Sequence, residues 1–206
     1  LSGKYELQID SSSSLKITFN GYKGKSQNNS DFYSEALNDK SDTVNQSRRN
    51  TSSLGDEASF NSSILWRKRF KKMGRTISAR VEQKYNANDS EGYLDALNTY
   101  FDTGEKDTIN QRKYNHNKLF TLNAKITYTE PLGKGNFLEF NYGYSNTTSS
   151  ADRTTYNYNN GKYDELDPLL TNDYDFFINT NAGGLAYRIA KKKYNFSFGS
   201  DLAYQA

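Results

Sequence analysis

The chain has 206 residues, of which 34% are hydrophobic and 25% charged, with 17 Tyr, 12 Phe, no Cys and a formal net charge of +3. A mean hydropathy of −0.96 is low for a packed core of this size, yet a chain unable to bury apolar surface would not carry aromatics at a regular period of two. The near-balanced charge gives no reason to expect a nucleic-acid partner, the absence of Cys rules out disulfides and thiolate chemistry, and no run of eighteen apolar residues exists to form a spanning helix.

The predicted elements are strands joined by short turns. Tyr5, Leu7 and Ile9 alternate with polar residues, and the first turn is Asp10 to Ser14. Leu15, Ile17, Phe19 and Gly21 follow on one face, with Lys16, Thr18 and Asn20 on the other. The second turn is Lys71 to Gly74; beyond it Ile77, Ala79, Val81 and Tyr85 alternate with Ser78, Arg80, Glu82 and Lys84. The third, Gly133 to Asn136, is preceded by Phe120, Leu122, Ala124, Ile126 and Tyr128 and followed by Leu138, Phe140, Tyr142 and Tyr144. The fourth, Ala190 to Lys193, joins Leu185, Tyr187 and Ile189 to Tyr194, Phe196, Phe198 and Leu202. The expected fold is all-β: about eight antiparallel strands in four up-and-down hairpins. A wall with lipid outside and water inside needs only one apolar face, which reconciles low hydropathy with ordered aromatics.

Between these short turns the segments 24–58, 86–118 and 146–182 are polar and far longer than the roughly 9 to 11 residues that cross a bilayer as a tilted strand. They are expected to be strand extensions and loops outside the membrane. Two of them are similar: Tyr33 to Asn38 matches Tyr93 to Asn98, and Asp42 to Gln46 matches Asp107 to Gln111, as duplication of a hairpin predicts. Asn160-Gly161 predicts a type I′ turn, and Gly183-Gly184 a bulge or bend in a strand.

Basic residues gather at the short turns and acidic ones at the far ends. Ordinary solvated turns account for this; so does a membrane, with Arg67, Arg69, Lys71, Lys72, Lys134, Lys191, Lys192 and Lys193 reaching a headgroup layer on the periplasmic side. Trp66 suits either an aromatic girdle at that interface or the core of a soluble sheet. Outer-membrane lipid is the partner the second account implies. Asp164, Glu165, Asp167, Asp173 and Asp175 are the candidates for a hard cation, without EF-hand spacing. His116 lacks a second His or a Cys for a zinc set and is expected to be a loop residue without a role. No catalytic constellation, cofactor motif or phosphate loop is present, so the chain is not expected to be an enzyme.

The runs Phe60 to Ser78, Thr121 to Leu132 and Phe137 to Tyr142, with Gly161 to Pro168 and Asn172 to Tyr174, resemble the outer-membrane β-barrel family of TonB-dependent-receptor-like proteins of Bacteroidetes. The resemblance implies a bacterial outer-membrane location and a large barrel preceded by a plug domain. It makes residues 1–206 a single partial barrel domain, an internal fragment lacking the plug and the remaining strands. The implied function is the wall and extracellular rim of a transporter for a siderophore, glycan or peptide, with TonB and a surface lipoprotein as partners of the parent protein. The alternative is a small closed barrel or a surface adhesin.

Overall fold

A computed structural model describes all residues 1–206, which form one antiparallel sheet. Its strands are β1 (Ser2–Asp10), β2 (Ser13–Leu37), β3 (Thr43–Arg69), β4 (Thr76–Tyr100), β5 (Lys106–Gly133), β6 (Asn136–Asn159), β7 (Lys162–Leu166), β8 (Asn172–Ala190) and β9 (Asn195–Gln205). Neighbours in the chain are neighbours in the sheet, except that β6 pairs β8 along most of its length and β7 along its outer end. The expected four hairpins are present. The ninth strand is β7, a five-residue segment whose only signal is the Asn160-Gly161 turn before it. Both turn residues take positive φ, 47° and 88°, as a type I′ turn requires.

The long strands run 24 to 28 residues, about 80–90 Å at roughly 3.3 Å per residue. The polar arms are therefore mainly strand, with turns confined to 38–42, 101–105, 160–161 and 167–171. Of 148 backbone hydrogen bonds, 135 lie within the strands, which satisfies the backbone polar groups without water. The sheet does not close: β1 and β9 each have a single neighbour.

Two sequence expectations are corrected here. Gly183 and Gly184 pair in unbroken register with β6 and β9, so neither marks a bulge. Gly184 lies between Asn141 and Asp201, and a Cβ there would collide with the Asp201 carboxylate and the Asn141 amide; the missing side chain lets Asp201 reach across β8. His116 is not in a loop but within β5, its Nδ1 2.8 Å from Asp89 Oδ1 of β4.

The duplicated arms carry the same contact at their tips. Asn38 Nδ2 donates to Asp42 Oδ2 at 3.2 Å, and the matching Asn98 Nδ2 to Asp107 Oδ2 at 3.5 Å.

Candidate functional site

Pairing register determines which side chains share a face. Leu15, Trp66, Ala79 and Ile126 form one cross-strand row and Ile17, Ile64, Val81, Ala124 and Tyr144 the next. On this face no Lys, Arg, Asp or Glu occurs at 15–21 of β2, 58–66 of β3, 77–87 of β4, 120–128 of β5, 138–148 of β6, 177–189 of β8 or 196–204 of β9. Most of these stretches are close to the roughly 9 to 11 residues needed to cross a bilayer. Their large side chains stand uncovered, Val81 at 43%, Ile126 at 48% and Phe140 at 46% exposure, and only 6 of 206 residues are buried. An apolar band this wide, left in water, would be an aggregation surface; against acyl chains it is a wall.

The outer margin of the band is ionisable: Lys23, Lys118 and Asp175 share one row, and the next row outward is ionisable on every strand from β2 to β6 and on β8. Lys25, Asp56, Asp89, His116, Asp152 and Asp173 are successive register partners across six strands, all on the apolar face. The row was legible only once register was known, because its members lie 21 to 36 residues apart in the sequence.

The opposite face carries charges level with the band, among scattered apolar residues such as Leu65, Leu119, Phe176 and Ile178. Lys16, Arg80, Glu82, Lys84, Lys125 and Glu139 all point there. Arg80 sits directly opposite Lys125, a like-charge pair that is unfavourable on a dry sheet and tolerable in water. Arg80 turns instead toward Glu82, with nitrogen and oxygen 3.4 Å apart. This face is the concave one: Tyr22 of β2 and Tyr174 of β8 border the same groove, although four strands separate them in the sheet. The groove encloses about 450 Å³ over a floor of Asn86, Asn88, Asn117 and Leu119, at the level where the apolar band of the other face ends. Amides, hydroxyls and two flanking phenol rings equip it to hydrogen-bond and stack on a polar solute.

At the short-turn end the basic residues divide by face. Trp66 is on the apolar face, its Nε1 donating to the buried Ser13 hydroxyl at 3.0 Å. Arg67 and Arg69 alternate with it onto the polar face, where Arg69 donates to the Ser11 carbonyl at 2.8 Å. Lys71, Lys72, Lys134, Lys191, Lys192 and Lys193 occupy the turns themselves. Lys72, Arg75 and Tyr128 converge on Glu130 with donor distances of 2.6 to 2.8 Å. These donors hold its carboxyl well below the ordinary value of 4.5, Arg75 contributing most.

The acidic residues suggested for a cation do not assemble, and no three of them stand within reach of one ion. Asp167 is engaged structurally: its Oδ1 accepts from the Leu169 and Leu170 amides at 3.0 and 3.2 Å. Asp173 and Asp175 project from the convex face of β8, Asp164 borders a convex groove with Tyr114 and His116, and Glu165 pairs opposite Asn157 on the concave side. Strand alternation and the 167–171 turn separate what proximity in sequence suggested. The same alternation hid a convex aromatic cluster, in which Tyr163 of β7 packs edge-on against Tyr93 at 5.5 Å and Tyr158 at 5.1 Å.

A curved sheet with an uncharged apolar exterior of membrane width, a wet charged interior and strands prolonged beyond the membrane on one side is the wall of a transmembrane β-barrel. Residues 68–200, more than half the chain, match the model of an outer membrane protein beta-barrel family, and the chain belongs to that family. Its place is the bacterial outer membrane, where such barrels turn their short hairpin ends to the periplasm and their long arms outward. No curated protein matches the chain.

Proposed function

We propose that this chain forms part of the wall and extracellular rim of a TonB-dependent-receptor-like transporter that takes up a siderophore, glycan or peptide. In this reading residues 1–206 are a partial barrel domain; the parent protein supplies the remaining strands and a plug, and engages TonB and a surface lipoprotein. The observation that carries it is the concave face. Like charges set directly opposite each other at Arg80 and Lys125 belong in a wide, wet or plugged lumen rather than in the filled interior of a small barrel. The open edges at β1 and β9 support the same reading, since further strands would cover them.

A test is accumulation of labelled candidate ligands by cells carrying the full-length protein. Uptake that stops on loss of TonB, or on collapse of the proton gradient, is the expected result; uptake indifferent to both overturns it. A surface adhesin is the second reading, favoured by the convex Tyr93, Tyr158 and Tyr163 cluster in the extracellular arms. Its signature is ligand binding to whole cells with no accumulation inside them.

A further inference from the structure

Three cations on the concave face stand without a counter-ion. Arg49 of β3, Lys113 of β5 and Arg153 of β6 each lie an even number of residues from a polar-face position of the same strand, Ser63, Lys125 and Glu139, with no register break between. None of them forms an ion pair. Arg153 uses its Nε to hold Asn115 Oδ1 at 3.1 Å, leaving the rest of the guanidinium free of side-chain partners.

Arg49 and Lys113 line one groove of about 270 Å³ together with Thr51, Ser53 and Asn115. Gly92 forms its floor, paired with Ser53 on one side and Lys113 on the other. A Cβ at Gly92 would press on the Ser52 carbonyl and Ser53 Cβ, so the absence of a side chain keeps the space beneath the cations open. Burial, then the nearby Arg153 and Arg49, pushes Lys113 below the ordinary lysine value. Asp167 alone opposes this, and its carboxylate already accepts from the Leu169 and Leu170 amides and, at 3.3 Å, from Asn157.

Arg112, next in sequence, is the contrast. It points to the convex side, is neutralised by Glu91 at 2.8 Å and lies over the rings of Tyr93 and Tyr114 at 5.7 and 4.9 Å. Arg112 is thus paired on the outward face, whereas Arg49, Lys113 and Arg153 stand unpaired toward the lumen.

We infer that Arg49, Lys113 and Arg153 form an anion-binding site in the extracellular vestibule, for a ligand bearing clustered carboxylate or phosphate oxyanions. Guanidinium forks take either group in two-pronged fashion, Lys113 adds a compact charge, and Thr51, Ser53 and Asn115 supply neutral hydrogen bonds. A concave cluster of cations also raises the local concentration of anions before contact. The inference rests on the uptake reading for its direction of entry, and it narrows that reading to anionic ligands.

The test uses full-length protein purified from outer membranes in detergent and titrated by calorimetry, separately, with tripolyphosphate and with citrate. Binding of at least one probe is expected, weakening with added salt, tenfold or more weaker in the Arg49→Gln/Lys113→Gln/Arg153→Gln variant and unchanged in Arg112→Gln. Preference between the probes tells phosphate from carboxylate. Equal binding by the triple variant, an equal loss in Arg112→Gln, or no binding of either probe overturns the inference. Heat-modifiable migration in gels reports folding; if the triple variant fails it, Lys113→Gln alone is expected to weaken binding threefold or more, and an unchanged affinity there also overturns the site. Binding in detergent requires no energised membrane. A protein that binds these anions without accumulating them keeps the site and loses the uptake reading; one that accumulates only neutral ligands does the reverse.

Discussion

Arg75 holds Glu130 at two points, Nε to Oε2 at 2.7 Å and a terminal guanidinium nitrogen to Oε1 at 2.8 Å. The pair ties the β3–β4 turn to β5, and Lys72 and the Tyr128 hydroxyl complete the shell around the carboxylate. Glu130 stands beyond the apolar stretch of β5, on the short-turn side, so its charge meets the interface and not the acyl chains.

The pH dependence follows from that arrangement. A carboxyl whose folded-state value is depressed adds stability that is complete above its ordinary value of 4.5 and drains away as the pH falls below it. Glu130→Gln is therefore expected to lower the urea midpoint at pH 7 and to converge with the parent as the pH drops under 4.5. Urea unfolding of both proteins in detergent micelles across pH 3 to 8 checks this; a gap that stays constant with pH contradicts it.

The assignment of faces is tested by neighbours in the chain that point opposite ways. Val81 lies between Ile64 and Ala124 in the middle of the apolar band, whereas Ser63 pairs with Glu82 on the polar face. Val81→Arg should cost about 2–4 kcal/mol, the range for a cation near the bilayer midplane. Ser63→Arg should stay within about 0.5 kcal/mol, as surface changes generally do. Folding equilibria in lipid vesicles measure both, and the order of the two costs decides which face meets lipid.

Much of this was legible in the sequence, because a period of two is a direct consequence of strand geometry. Alternation around Leu15 to Gly21 and Phe120 to Tyr128 gave strands, and the short turns gave their order. What escaped notice depended on register. Arg49, Lys113 and Arg153 are far apart in the chain and lie in arms whose acidic residues dominate the composition; only the pairing of β3 through β6 brings them to one side. The acidic run from Asp164 to Asp175 failed in the opposite sense, since neighbours in a strand point to opposite faces and a turn intervenes. β7 is too short for its alternation to be read, with Tyr163 and Leu166 as its only large apolar residues.

Trp66 stands at the short-turn end of the apolar face with one polar demand, met by Ser13. Ser13 is 4% exposed, and its hydroxyl accepts the indole N–H at 3.0 Å. Ser13→Ala leaves that donor unsatisfied next to the apolar band and should cost about 1–3 kcal/mol. Folding free energy is one readout; a shift in Trp66 fluorescence is a second, specific because the chain has a single Trp. An unchanged emission spectrum would mean that the indole finds its partner elsewhere.

Gly184 and Asp201 make a pair that can be broken and restored. The Asp201 side chain crosses the space that a Cβ at Gly184 would fill, toward Asn141 on the next strand. Gly184→Ala should therefore force Asp201 aside at about 1–3 kcal/mol, the usual cost of inserting a methyl where there is no room. Asp201→Ala should cost less, because the carboxylate forms no ion pair and faces the wet lumen. The double variant is expected to recover most of the Gly184→Ala loss, a coupling that only residues in contact produce. Additive costs in the double-variant cycle would show that the glycine serves the backbone of β8 rather than the reach of Asp201.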